Sequence, residues 1–377
     1  MLKNRYWMFL FLVIYAFGAL STTQTIPFLK ELGFNSVQQG FVLASIALFT
    51  IFMQVIFGIL SDKTGKMKPY LLLVFCAAAI CTAWMYFMKL DSFWIMMLSV
   101  GFIGGACRTY QSMVDTWSLQ IDHQKQKFEK NKALGSVGWA LGAWCGAILC
   151  SWMNFTVLAV ACAALSLAAV FLLVRIQDCQ RESTMKWSQL SELIHNKQYV
   201  LLVLIMLVLF AMGCADIYLV VDKIIALGGT SFHIGLKWGI QSLAEAPVFL
   251  ISDRLLKRFN MLSLLVFSTV MFGVRFLVYS FTQNVWLLVM ESLFQCVTFP
   301  IAVYCTKIGI DQCISNEIKS TGQLAGASVY MGVSLLIMPV FTQMLSDAFS
   351  QDFALRVVAS FSLIALILTG VYRKNIS

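Results

Sequence analysis

The sequence predicts an all-α integral membrane protein with twelve transmembrane helices in two six-helix bundles. Three observations carry that reading. Sixty per cent of the 377 residues are hydrophobic and 12% are charged, against about half and about a quarter in an average soluble domain. Lipid must therefore solvate much of the surface. Twelve apolar stretches approach the ~20 residues that cross the hydrocarbon layer. A basic loop also occurs twice: Gly58-Ile59-Leu60-Ser61-Asp62-Lys63-Thr64-Gly65 follows one apolar stretch, and Ile251-Ser252-Asp253-Arg254 follows another about half a chain later. Two related halves around a midplane site are a common build of membrane transporters.

The first segment, 6–27, follows Lys3 and Arg5. It is too long for a signal-peptide core of about 7–15 residues and lacks a cleavage site, so it reads as a retained helix. Segments two to six are expected at 38–60, 69–88, 93–118, 133–153 and 155–175, and seven to twelve at 198–220, 233–252, 260–281, 284–306, 321–346 and 353–372. The halves are thus 1–176 and 198–377, joined by a polar linker, 177–197.

Charge tests that count. With the N-terminus inside, the inner loops hold Lys63, Lys66 and Lys68, then Lys125 to Lys132, Arg175 to Lys197, Arg254 to Arg258, Lys307 and Lys319, and Arg373 and Lys374. The outer loops hold only Lys30, Lys89 and Lys223, each near an acid. That asymmetry follows the positive-inside rule and places both termini in the cytoplasm of a cell-membrane protein. Leu29 to Gly33 and Ile224 to Gly228 occupy matching places after segments one and seven.

The net charge of +9 is spread over these loops and forms no stripe for nucleic acid. Eleven cysteines, mostly inside apolar segments, read as small packing residues. His123, His195 and His233 sit in or beside loops, so no metal site is expected. No Walker loop is present, and no enzymatic triad assembles. The expected partners are a small-molecule solute, protons and the bilayer, with no cofactor and a monomeric chain.

Charges inside a membrane span are costly and mark pathways, partners or cavities. Arg108 and Asp115 lie seven residues apart in segment four, two turns on one face, with Gln111 and Ser112 between them. Lys132 opens segment five, and Trp139 follows two turns later. Gly138, Gly142 and Gly146 form a small-residue ridge there that lets another helix approach closely. The second half contributes Asp216, Glu245, Arg275 and Glu291. Asp222 and Lys223 read as a plain interfacial pair, and Lys237 as a side chain that snorkels to the outer edge. The Gly58, Ser61, Asp62, Lys63 and Gly65 loop, with Asp253 and Arg254 in its copy, reads as a charge network that gates the inner face.

These residues resemble the major facilitator superfamily, and within it the oligosaccharide:proton symporter (lactose permease-like) family. Asn4-Arg5-Tyr6-Trp7-Met8-Phe9 resembles that family's opening, Gly58 to Gly65 its Gly-x-Leu-Ser-Asp-Lys-x-Gly loop, and Lys132-Ala133-Leu134-Gly135-Ser136-Val137-Gly138-Trp139-Ala140 its basic stretch at the start of segment five. The resemblance implies the major facilitator fold and proton-coupled symport of a sugar or similar small polar solute by alternating access. It implies solute contacts for Asp115, Lys132, Trp139 and Glu245, to which the polar stripe adds Arg108. Proton handling falls to Glu245 and Arg275, with Glu291 and Asp216 as replacement carboxyls. The chain departs from the family pattern where Gln295 and Thr298 stand for a segment-ten His and Glu, Met331 for a segment-eleven Lys, and Lys132 for an Arg. A second expectation is transport, inward or outward, of an organic anion held by Arg108 and Lys132. A membrane sensor with a transporter fold is the third.

Overall fold

A computed structural model describes residues 2–120, 128–178, 190–314 and 319–376. Among them every regular element is helical. The first half of the chain holds α1 (Leu2–Thr22), α2 (Thr25–Glu31), α3 (Ser36–Thr64), α4 (Lys68–Met88), α5 (Phe93–Gln120), α6 (Phe128–Trp152) and α7 (Phe155–Arg175). The second half holds α8 (Leu190–His195), α9 (Lys197–Ala226), α10 (Ser231–Arg258), α11 (Met261–Phe281), α12 (Val285–Met290), a 3-10 stretch (Glu291–Val297), α13 (Phe299–Cys313), α14 (Lys319–Ala348) and α15 (Gln351–Ile376).

Ten of the described stretches are long and apolar enough to cross a membrane. α5 and α10 match them in length but fall short in apolarity, because α5 carries Arg108, Gln111 and Asp115 and α10 carries Lys237, Glu245 and a charged last turn. Ile80, Leu167, Ile367 and Phe52 stand outward, part of an apolar exterior that water would not tolerate over so wide an area.

Two expected helices are broken. Segment one splits at Thr23 and Gln24. Pro27 cannot donate to the Thr23 carbonyl, and the hydroxyls of Thr22 and Thr23 turn back onto Gly18 O and Ala19 O. Segment ten splits into α12, the 3-10 stretch and α13. Pro300 occupies the first turn of α13, and Thr298 leaves helical geometry with φ −111 and ψ −96. Ser268 donates its hydroxyl to the carbonyl of Thr298 at 2.7 Å, satisfying a backbone group at that break.

The Ser-Asp-basic stretches are helix ends rather than loops. α3 runs to Thr64 and is stopped by Gly65, whose φ of +65 suits glycine, and Ser252 to Arg258 continue α10. Ser61 donates to Gly58 O at 2.9 Å. The side chains of Asp62, Lys63 and Asp253 lie outside the described set. The next turn is held by Lys68. Its ammonium donates to Val174 O and Ile176 O, and its backbone N–H, with that of Met67, donates to the carboxylate of Asp178. Of the expected linker, residues 179–189 lie outside the described residues, and α8 follows them.

The halves share a turn. Gly33 and Gly228 both have positive φ, +85 and +83. Gly33 N donates to Lys30 O and Phe34 N to Leu29 O; Gly228 N donates to Ile225 O and Gly229 N to Ile224 O. Two residues beyond each glycine lies a helix cap, and the residue three further on reaches back: Asn35 N donates to Gln38 Oε1 and Thr230 N to His233 Nδ1. A turn, cap and reach-back bond recurring at one spacing is the firmest trace of duplication in the chain.

Packing across the halves runs through α6 against α10 and α3 against α14. α6 has two small-residue faces. Gly138 and Gly142 seat the backbone of α1, and a Cβ on Gly142 would lie 2.9 Å from Ala16 Cα. Ala143 and Ala147 face Gly235 of α10, where a Cβ would meet Ala143 O at 2.7 Å, and Gly40 of α3 lies against Pro339 O. The end that carries Gly33 and Gly228 is further closed by polar contacts. Lys30 pairs with Asp222, which also accepts from Gln343 Nε2 at 2.6 Å, and Gln24 donates to Ser231 O at 3.5 Å.

Gly142→Leu is expected to push α1 off α6 at a cost of about 1–3 kcal/mol, as overpacking does. A lower unfolding midpoint in detergent would register it, while Gly146→Ala, which meets nothing closer than 3.5 Å, should not lower it.

Candidate functional site

Two clusters gather most of the intramembrane charges. On α5, Asp115 accepts from Tyr15 Oη of α1 at 3.0 Å and from Lys132 Nζ of α6 at 2.5 Å. Lys132 also donates to the Tyr15 hydroxyl and stands over its ring, 4.7 Å from the centroid. The sequence places Asp115 and Lys132 in successive segments; Tyr15, which closes the triad, has no signature beyond being an apolar-helix tyrosine.

A denser cluster forms from α9, α10, α11 and the 3-10 stretch. Asp216 is buried and takes two cations. Lys237 Nζ reaches its Oδ2 at 2.7 Å, and Arg275 Nη2 reaches its Oδ1 at 2.9 Å. Arg275 also donates to Tyr279 Oη at 3.0 Å, to Thr298 Oγ1 at 3.2 Å and to Gln295 Oε1. Gln295 in turn donates through Nε2 to Glu245 Oε1 at 2.5 Å. A chain of contacts therefore runs from Lys237 to Glu245 through one carboxylate, one guanidinium and one amide. Three of its members, Asp216, Lys237 and Arg275, are essentially sealed from solvent, and Glu245 is partly open.

Several sequence expectations change here. Lys237 does not snorkel; it is fully buried on Asp216. Asp222 and Lys223 are not a pair. Asp222 binds Lys30 and Gln343, while Lys223 donates to the carbonyls of Tyr279 and Ser280 at the end of α11 and pairs with Asp352 at 2.6 Å. Neighbours in sequence on a helix point about 100° apart, so they rarely share a partner. Glu291 stands away from the cluster and accepts from Thr282 Oγ1 at 2.5 Å. Gln295, which the resemblance sets where a titrating residue is expected, bridges Arg275 to Glu245.

The two clusters meet where α6 crosses α10. Ser242 Oγ donates to Ser136 O at 2.9 Å, one turn from Glu245 on α10 and one turn from Lys132 on α6. Toward the Gly33 and Gly228 end lies a cavity of about 200 Å³, below the ~300–1,000 Å³ of drug-sized sites. Arg108, Gln111, Trp139, Tyr218 and Trp238 stand in its wall, with hydroxyl residues of α1 and α2 above them. Asp115, Lys132 and Glu245 are not in that wall; Asp115 lies about 10 Å along α5 from Arg108 at about 1.5 Å per residue.

A helical chain with a cavity between its halves and buried charges beside it matches known proteins. The family described as MFS_1 like matches residues 4–368. The chain belongs to that family. The maltose permease of Geobacillus stearothermophilus is 24% identical over 296 residues, 78% of this chain and 75% of that protein. The uncharacterized transporter YwbF of Bacillus subtilis (strain 168) is 22% identical over 330 residues, 84% and 81% of the two chains. Among solved structures, the nucleoside transporter NupG superposes with a TM-score of 0.82 at 16% identity, covering 99% of this chain and all of that one. A point mutant of NupG superposes with a TM-score of 0.84 at 15% identity over the same shares of the two chains. This member of the MFS_1 like family is therefore a multi-pass membrane transporter and not an enzyme.

Asp216→Asn is expected to strand Lys237 and Arg275 without a carboxylate and to cost about 3–5 kcal/mol, as breaking a buried pair does. Asp115→Asn, at a partly exposed pair, should cost less. Unfolding midpoints of the two purified variants would rank them.

Proposed function

We propose that this transporter is a secondary active, proton-coupled symporter of a sugar or similar small polar solute. It spans the cell membrane twelve times, with both termini in the cytoplasm. Residues 1–176 and 198–377 form two six-helix bundles that rock about a central site, and 177–197 links them on the cytoplasmic side. The Lys30, Asp222 and Gln343 contacts then close the external end, and the Ser61 to Gly65 and Asp253 to Arg254 helix ends face the cytoplasm as gate elements.

The observation that carries this reading is the link from Glu245 through Gln295 to Arg275 and Asp216. Glu245 is the carboxyl of that chain with no cation bound directly to it among the described contacts, and it is partly open to the crossing of α6 and α10. A proton arriving at Glu245 weakens its hold on Gln295 and frees that amide to reorganise around Arg275. The solute meets Arg108 and Trp139 in the cavity wall, with Asp115, Lys132 and Glu245 below it toward the cytoplasm. Glu291, held by Thr282 at the outer end, plays no part in this chain. The likeness to a maltose permease supports a solute rich in hydroxyls.

Glu245→Gln is expected to abolish accumulation driven by an imposed pH gradient in proteoliposomes while retaining solute counterflow. Accumulation by the variant at the wild-type level would remove Glu245 from proton coupling. A wild-type protein that moves no sugar, nucleoside or sugar acid would remove the symport reading itself.

A further inference from the structure

We propose that the transported solute is a polyhydroxylated carboxylate, a sugar acid rather than a neutral sugar, and that Arg108 binds its carboxylate. The inference rests on the transport reading and specifies the substrate class of the same cavity.

Arg108 lacks the counter-ion that the cations of the two clusters have. Lys132 has Asp115, and Lys237 and Arg275 share Asp216. Glu245 is engaged by Gln295. Arg108 stands in the cavity wall and makes no hydrogen bond or ion pair among the described residues. Among those residues, no Asp, Glu or second cation lines that cavity. A guanidinium stays charged at any physiological pH, and an uncompensated charge this deep in a membrane protein is costly. A solute that brings one negative charge removes that cost on entry; a neutral sugar leaves it in place. The forked donors of arginine match a carboxylate with two parallel hydrogen bonds.

The rest of the wall tells what the carboxylate is attached to. The hydroxyls of Ser21, Thr22 and Thr25 donate to carbonyls of their own helical turns. The Thr22 oxygen, partly exposed, is therefore left with a lone pair to accept from a solute hydroxyl. These residues sit at the junction of α1 and α2, whereas Arg108 lies at the middle of α5, so the cavity is cationic low and hydroxyl-lined high. Trp139 of α6 and Trp238 of α10 supply flat apolar walls from the two halves of the chain, and Trp238 Nε1 is a buried donor without a partner among the described residues. One anionic group, several hydroxyls and an apolar ring face are the features of a pyranose hexuronate, and an acyclic aldonate shares the first two. At about 200 Å³, the space suits a monosaccharide-sized acid better than a disaccharide.

Binding and transport separate the inference from the reading on which it rests. Purified wild-type protein is titrated with glucuronate, gluconate, glucuronamide, glucose and maltose, following intrinsic tryptophan fluorescence. Glucuronate or gluconate should bind at least ~10-fold more tightly than glucuronamide and the neutral sugars, since a hydrogen bond to a charged group is worth about 1.5–3 kcal/mol and Arg108 is only partly buried. That comparison needs no variant. Arg108→Gln should lose the preference, and Arg108→Lys should keep part of it. Proteoliposomes under a pH gradient should then accumulate the acid. Acid counterflow without accumulation under the gradient leaves the inference standing and overturns the proton-coupled reading, whereas acid binding without any movement of the acid overturns the inference. Equal binding of glucuronate and glucuronamide, binding of neutral sugars alone, no binding of either acid by folded wild-type protein, or an acid preference that survives Arg108→Gln each overturns the inference.

Discussion

Asp216 is the interaction on which the second half of the chain depends. One buried carboxylate holds a lysine from α10 and an arginine from α11, and removing either ion from water costs several kcal/mol before any pairing is counted. Such a cluster is a poor route to stability. Its use is to fix the rotation of three helices at once, since each side chain must point at the same spot. Arg275 then has donors left over for Tyr279, Thr298 and Gln295, so the same anchor sets where Glu245 sits.

The first half solves its charge problem differently. Asp115, Lys132 and Tyr15 form a neutral, partly open triad, and close helix contact comes from glycine and alanine on α6 rather than from ion pairs. α6 thus serves as a two-sided spacer, with its glycine face on α1 and its alanine face on α10. Trp139 and Lys132 share that helix, so the positions of the aromatic wall and of the triad relative to the second half are decided by methyl-sized details of one crossing.

Much of this is legible in the amino-acid order. The long apolar stretches, the small-residue ridge and the shared face of Arg108 and Asp115 all follow from period and composition, which are local. Pairing is not legible. Lys237 reads as an edge lysine because its distance from the helix start says nothing about Asp216, 21 residues earlier on another helix. Asp222 and Lys223 look like a pair because adjacency in sequence is visible and rotation about a helix axis toward Lys30 or Asp352 is not. Tyr15 carries no charge and so gives no signal, and Gln295 stands out only as a departure from a family pattern, yet each links charged groups. In sequence the duplication shows through a worn basic motif and the matched Leu29 to Gly33 and Ile224 to Gly228 stretches, and its clearest record is the backbone of those two turns, where hydrogen bonds persist as side chains change.

The interruption between α12 and α13 has a mechanical meaning. A continuous helix transmits a push along its whole length, but the 3-10 stretch and the break at Thr298 decouple the two pieces, and the hydroxyl of Ser268 already caps the loosened backbone. Gln295 rides on that joint. The amide holds the guanidinium through its oxygen and the carboxyl through its nitrogen, so in the proposed alternating-access cycle a local twist of a few residues would release either contact without moving a whole helix.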